Sequence, residues 1–151
     1  MDRYLQITKD FLDLDDWKYD CDEEKQVIKS GVKSENGSYK ILFVSREDKD
    51  QYLIYAIAPV EVPEKDRSKI CEFFARANYG LMIGNFELDM NDGEMRYKVS
   101  VTLEDAGLTH GMVSSMLKYC ISTMDKYYRE IMNVIYGSIS PEEAIRHVED
   151  R

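Results

Sequence analysis

The stretch that decides the fold runs from Asn85 to Val99 and reads NFELDMNDGEMRYKV. Apolar and charged residues alternate along it, as they do in strands with one buried face, and Asp92-Gly93 is a strong signal for a hairpin turn. A two-residue turn there predicts three apolar pairs on one face: Phe86 with Val99, Leu88 with Tyr97, and Met90 with Met95. The same register pairs opposite charges on the other face, Glu87 with Lys98 and Asp89 with Arg96. We therefore expect Met90 to be buried and these four charges to stabilise the sheet rather than to act as acids and bases.

A second hairpin precedes this one. Asn36-Gly37 is typical of a two-residue type I′ turn, which predicts Val32 opposite Ile41 and Ser34 opposite Tyr39. A further strand over Gln51–Ala58 is apolar on both faces, which indicates a central position in the sheet. Together these segments predict an antiparallel sheet of five strands.

Four segments have the periodicity of amphipathic helices. The second is expected to open at Val62-Pro63 and to end at Gly80 in the left-handed conformation. The fourth begins with a capping box at Ser140. The predicted helices cover residues 2–14, 62–80, 109–136 and 141–149, and the buried stripe of the second consists of Ile70, Phe73, Phe74 and Ala77. The order α-β-β-β-α-β-β-α plus a short C-terminal helix indicates an α+β fold with flanking helices.

Composition excludes several classes of protein. The chain has 151 residues, 44% of them hydrophobic, and its 20 basic and 29 acidic residues give a net charge of −9. That charge disfavours nucleic acid and anionic membranes as partners. No apolar run reaches about 18 residues, and the N-terminal sequence lacks the apolar core of a signal peptide. We therefore expect one cytoplasmic domain, residues 1–151. Most of the excess negative charge lies in Asp10–Glu24, which is either a solvated connection or a contact surface.

The sequence holds little that points to catalysis or metal binding. Its three cysteines, Cys21, Cys71 and Cys120, are widely spaced, and its two histidines, His110 and His147, are far apart. Structural zinc sites need clustered ligands, and the motifs of common hydrolases and nucleotide-binding loops are missing. We predict no catalytic residue, no metal site and no cofactor.

Seven stretches together form a recognisable pattern: Trp17–Tyr19, Ala58–Pro63, Arg76–Gly80, Gly84–Asp89, Gly93–Tyr97, Ile135–Gly137 and Ser140–Ile145. They resemble the YbjN family, especially its cyanobacterial and plastid-type members. The resemblance implies a fold like that of type III secretion chaperones, which are often dimeric, and a family labelled as sensory-transduction regulators. It brings no catalytic residues. We expect a structural role for the motif residues Asn78, Tyr79, Gly80, Gly84, Phe86, Glu87, Asp89, Gly93, Arg96 and Tyr97.

Two classes of function follow from these observations. The favoured one is a non-enzymatic regulatory or chaperone-like domain that binds another protein. The alternative is a small-ligand sensor or an enzyme whose site is assembled only in the tertiary structure.

Two candidate interaction surfaces accompany the favoured function. Leu42 and Val44 lie on the outer face of the sheet, where the N-terminal helix is the expected cover and a second subunit or client segment the alternative. Cys71 and Ala75 leave a shallow strip on the second helix, which predicts a homodimer.

Overall fold

The computed structural model describes residues 2–149. Its helices are α1 (Arg3–Leu14), α2 (Arg67–Gly80), α3 (His110–Tyr136) and α4 (Pro141–Val148), and short 3-10 turns cover Glu47–Lys49 and Glu64–Asp66. Its strands are β1 (Asp20–Asp22), β2 (Val27–Lys33), β3 (Ser38–Arg46), β4 (Gln51–Ile57), β5 (Asn85–Leu88) and β6 (Met95–Thr102). They form one antiparallel sheet in the order β1-β2-β3-β4-β6-β5.

The predicted α+β class, with an antiparallel sheet and flanking helices, is confirmed, but the sheet has six strands instead of five. The strand that sequence analysis missed is β1, which pairs Cys21 with Ile28 at the edge of the sheet. Its three residues, Asp20, Cys21 and Asp22, have no strand periodicity and two of them are poor strand formers.

The core lies between the helices and one face of the sheet. Alternate strand residues point to that face and are buried, and α3 packs across them with the thiol of Cys120 against the carbonyl of Ile54, 3.2 Å away. The sheet residues of this core are Ile28, Tyr39, Ile41, Phe43, Tyr52, Ile54, Ala56, Phe86, Met95, Tyr97 and Val99. The predicted stripe of α2 is buried against the same face.

Helix α1 packs on this core face too, so the prediction that it covers the outer face is wrong. Thr8 and Tyr52 share a hydrogen bond of 2.7 Å between their hydroxyl groups, and the ring of Tyr4 meets the ring of Tyr52 edge-on. Tyr52 alternates with outward-pointing residues and is fully buried. The buried residues of α1 therefore extend the core beside α3 instead of starting a second layer.

The register of the second hairpin differs from the prediction by two residues. Phe86 lies opposite Tyr97, Glu87 opposite Arg96, and Leu88 opposite Met95. Asp89 and Asp92 are used in the turn, where their carboxylates accept the N–H groups of Asn91 and Glu94.

A tertiary contact holds this longer loop, because the N–H of Val62 donates to the carbonyl of Gly93 over 2.9 Å. Met90 consequently lies in the loop and is 52% exposed, so its predicted burial is wrong, and a charge at this position should cost little stability.

The first hairpin has the same kind of shift. Val32 lies opposite Tyr39, and a four-residue loop follows Lys33. The N–H of Asn36 donates to the Asp125 carboxylate on α3 over 3.0 Å, and its side-chain amide donates to the Asp125 carbonyl over 2.9 Å. These contacts with α3 replace the local two-residue turn.

The ends of α2 also differ from the prediction. The α-helix begins at Arg67, after a 3-10 turn, and not at Val62-Pro63. Gly80 is its last residue and the following residue, Leu81, is extended, while Gly84 takes the positive φ, at 78°.

Candidate functional site

The outer face of the sheet carries a continuous group of half-exposed apolar side chains. The strand pairing places Leu42 beside Tyr55, and Val44 beside both Leu53 and Val27. Helices α1, α2 and α3 pack on the opposite face, and α4 packs on α2 and α3. We call this surface the open face and define its apolar centre as Val27, Leu42, Val44, Leu53, Tyr55 and Ile57.

Basic residues border this apolar centre on both sides. Lys29 on β2 and Lys98 on β6 lie in the same cross-strand row as Leu42 and Tyr55, one at each end. The guanidinium carbon of Arg96 lies 4.2 Å from the centre of the Tyr55 ring, a cation–π contact. On the strands of this face the bases are Lys29, Lys33, Lys40, Arg46, Arg96 and Lys98, and the acids are Asp20, Asp22 and Glu87. Two further acids outside the strands, Glu61 and Glu94, line a pocket with Lys40 and Ile57. The strands of the open face therefore carry more bases than acids, although the chain as a whole carries a charge of −9.

Glu87 on β5 is held by two bases of β6. Its carboxylate lies 2.7 Å from the Arg96 guanidinium and 2.9 Å from the Lys98 ammonium. Burial raises the pKa of Glu87, but these ion pairs outweigh the burial and the pKa falls below its ordinary value. The predicted Glu87–Lys98 pair thus exists as a diagonal contact, whereas the predicted Asp89–Arg96 pair is wrong because Asp89 lies in the turn.

The other predicted interaction residues, Cys71 and Ala75, lie on the solvent side of α2, away from Leu42 and Val44. The structure does not bring the two pairs together. Ala75 lines a surface groove of about 610 Å³ between α2 and α4. Tyr79 lines the same groove and is 91% exposed, and Met82 beyond the helix is 93% exposed.

Most residues of the family motif make contacts inside the chain. The Asn78 side chain accepts the N–H of Phe86 over 2.8 Å and donates to the carbonyl of Phe86 over 3.1 Å. It thus pairs with β5 as a neighbouring strand would, at the edge of the sheet. The Phe86 ring stacks on Phe74 with centroids 4.8 Å apart.

Two glycines of the motif lie where a side chain does not fit. Gly84 has a φ of 78°, and a Cβ there would come within 2.6 Å of the Lys98 carbonyl. Gly93 has a φ of 84°, and a Cβ there would overlap the Val62 carbonyl. Tyr97 holds the segment directly before Gly84 in place, because its hydroxyl donates to the carbonyl of Ile83.

The exposure of Tyr79 is the feature of the motif that sequence reasoning missed. We expected a structural residue, but the side chain points to solvent from the last turn of α2. Its neighbourhood in the sequence carried a signal, since Leu81, Met82 and Ile83 continue an apolar run past the buried stripe of the helix.

Two features of the described residues bear on reactivity: the state of the buried cysteine and the placement of possible metal ligands. Burial raises the pKa of the Cys120 thiol to about 12, which keeps it protonated at neutral pH. Within residues 2–149, no group of three or more His, Cys, Asp and Glu side chains is placed to hold a metal ion. In the same part of the chain, none of the helices has the length and apolar character needed to cross a membrane.

Two of the solved structures that match this chain do so over most of its length. The crystal structure of YbjN from E. coli, described as "a putative transcription regulator", has 14% sequence identity and a TM-score of 0.63, and the match covers 89% of this chain and 90% of that one. A chain of the HopA1–SchA chaperone–effector complex has 15% identity and a TM-score of 0.57, over 80% of this chain and 89% of that one. At these identities the likeness is one of fold, and it confirms the predicted chaperone-like architecture. No curated protein matches the chain.

A family model supplies the assignment. The model of the YbjN family, described as "Putative bacterial sensory transduction regulator", matches residues 7–133 and so includes the open face, α2 and the motif from Asn78 to Tyr97. The chain belongs to the YbjN family.

Proposed function

We propose that the chain acts as a single YbjN-like domain, without catalysis, and that it binds another protein through the open face in a regulatory or chaperone-like role. The observation that carries this proposal is the open face itself, an apolar centre on two central strands that the described helices leave uncovered. The family description and the likeness to a chain of a chaperone–effector complex support a regulatory or protein-interaction role.

The physical argument rests on the two central strands, β3 and β4. Soluble proteins seldom expose a large continuous apolar patch without a use for it. A sheet face that only meets water would carry polar side chains on its central strands, but β3 and β4 present Leu42, Val44, Leu53, Tyr55 and Ile57 there. Covering them stabilises a complex by about 25 cal/mol for each Å² of apolar surface removed from water.

The test compares capture of partners by the native protein and by Leu42→Asp. The control is Tyr119→Asp, which places the same charge at an exposed aromatic residue on α3, on the helical side of the molecule. We expect a partner that is captured and crosslinked by the native protein and by Tyr119→Asp, and lost by Leu42→Asp. Crosslinks should map to Lys29 and Lys40. A partner retained by Leu42→Asp, or crosslinked only to other surfaces, would contradict the proposal.

We further propose a homodimer formed through the outer side of α2, with Cys71, Ala75 and the protruding Tyr79 at its centre. The groove beside Tyr79 is lined by two acids and two bases, Glu72, Glu142, Arg76 and Arg146. This surface carries charges of both signs, a protruding side chain and an adjacent groove. Such a surface can be complementary to an identical copy across a two-fold axis.

The site of action that we propose is the cytoplasm. The cysteines Cys21, Cys71 and Cys120 are all unpaired thiols, as is usual for proteins of reducing compartments. Neither nucleic acid nor a membrane is part of the proposal, since the excess charge of the chain is negative.

A further inference from the structure

We propose that the open face binds an amphipathic α-helix of a partner protein, in which Asp and Glu residues flank an apolar stripe on both sides. This inference rests on the proposed function and adds the shape and the charge of the bound segment. It follows from three features of the described residues: the spacing of the bases, the state of the sheet edges and the sign of the surface charge.

The spacing of the bases fits the width of a helix. Neighbouring strands lie about 4.8 Å apart, so Lys29 on β2 and Lys98 on β6, three strands apart, flank Leu42 and Tyr55 at a separation of about 14 Å. A helix with its side chains is about 10 Å wide. Apolar residues of such a helix can contact the centre of the open face, while acids on its two flanks reach the bases on β2 and β6.

Backbone hydrogen bonding favours a helix over an extended segment. The face of a sheet offers only side chains, so an extended segment lying on it would leave its own N–H and C=O groups without backbone partners, whereas a helix satisfies its own. Extended segments bind instead by adding a strand to a sheet edge. The edge of β5 is paired with the Asn78 side chain, and the edge strand β1 carries Asp20 and Asp22.

Charge complementarity makes the flanks of the bound helix acidic. Six of the 20 basic residues of the chain lie on the strands of the open face, against three of its 29 acids, and Glu87 is already paired with Arg96 and Lys98. Glu61 and Glu94 lie beside Lys40 and Ile57, outside the row that runs from Lys29 to Lys98. A second copy that docked through the same face would bring two basic surfaces together, which is unfavourable. The favoured occupant is therefore an acidic helix from a different protein.

The test uses synthetic peptides of about 18 residues, which form roughly five helical turns. The first has a leucine stripe flanked by Glu on both sides, the second has Lys in place of each Glu, and the third is the Glu peptide with two central prolines that prevent a helix. Binding to the full chain is measured by fluorescence anisotropy at low and at physiological salt. We expect the Glu peptide to bind about tenfold more tightly than either of the others, and salt to weaken its binding.

Protein variants locate the site. Lys29→Glu combined with Lys40→Glu should weaken binding of the Glu peptide about tenfold, and Lys118→Glu, the same reversal on α3, should leave it unchanged. If the double variant does not fold, Lys40→Glu alone makes the same comparison at a single exposed base.

The outcomes separate this inference from the proposed function. Equal binding of the Glu and Lys peptides would overturn the charge assignment, and equal binding of the proline peptide would overturn the helix. In both cases a native partner lost by Leu42→Asp would still support protein binding at the open face. If no peptide binds while that partner is still lost by Leu42→Asp, the inference fails alone. If Leu42→Asp retains the native partner, the proposed function fails.

Discussion

Asp2 connects three separate parts of the chain through one carboxylate. It accepts the N–H groups of Tyr4 and Leu5 at the start of α1, and it receives the hydroxyl of Ser45 on β3 and the side-chain amide of Gln26 before β2. Burial raises the pKa of Asp2, but these donors together outweigh it, so the pKa lies below the ordinary value of 3.8. The folded state therefore favours the ionised carboxylate.

We expect Asp2→Ala to lower the free energy of unfolding at neutral pH by about 1–2 kcal/mol, the usual cost of losing a helix N-cap. Because the folded-state pKa is lowered, the contribution of Asp2 is complete above pH 3.8 and disappears as the pH falls through the lowered value. The difference in the free energy of unfolding between the native protein and Asp2→Ala should therefore become smaller in acid. Urea denaturation at pH 7 and at a pH well below 3.8 measures it.

Asp105→Ala is the control for this prediction, since Asp105 is an exposed loop residue and its loss should change stability little at either pH. A deficit in Asp2→Ala that has the same size at both pH values would show that its cause is not the ionised carboxylate.

At the scale of elements, both hairpins show that the alternation of apolar and polar residues predicts the face of each strand residue but not the strand register. A shift of two residues keeps the paired strand residues on their predicted faces, although it moves Met90 into the loop. Alternation therefore placed Phe86, Leu88, Tyr97 and Val99 correctly but could not distinguish the two registers. The actual register depends on contacts from distant parts of the chain, since Asp125 binds the first turn and Val62 the second.

The helices could be predicted because their apolar stripes extend over several turns. The apolar centre of the open face could be predicted from Leu42 and Val44. The cover of that face was not, because the apolar stripe of α1 is equally compatible with either side of the sheet. The contacts of Thr8 and Tyr4 with the buried side chain of Tyr52 decide between them.

The contact between the second turn and the segment before α2 can be tested with two glycines. Gly93 and Gly107 both have a positive φ, 84° and 75°, so alanine is strained at either position. A Cβ at Gly93 would overlap the Val62 carbonyl, whereas a Cβ at Gly107 would meet nothing within 4 Å.

We expect Gly93→Ala to destabilise the protein by at least about 2 kcal/mol more than Gly107→Ala, as measured by urea denaturation, because only the first must displace a packed backbone. Equal costs would mean that the turn moves freely away from Val62.

At the scale of the whole molecule, the two candidate surfaces lie on opposite sides of the protein. The open face is apolar with basic borders, and the α2 surface has mixed charges around Ala75 and Tyr79. If both are used, a dimer formed through α2 leaves each open face available, so one dimer could hold two partner segments.

We expect light scattering after size exclusion to give twice the chain mass of 17.7 kDa at micromolar concentration. Ala75→Glu should reduce this to the mass of one chain, because it places a charge at the centre of the proposed contact. Tyr136→Glu, at an exposed position at the end of α3, should not. A single-chain mass for the native protein would exclude the dimer at this concentration.

The pairing of Asn78 with β5 also affects how readily the protein aggregates during storage. A bare strand edge is a template on which other chains aggregate. Since the amide that occupies this edge belongs to α2, the edge is protected only while the last turns of that helix stay folded. Opening of one helix end needs much less free energy than global unfolding. Aggregation during storage should therefore follow the frequency with which α2 frays near Asn78, and a variant with an unchanged melting temperature could still have a much shorter shelf life.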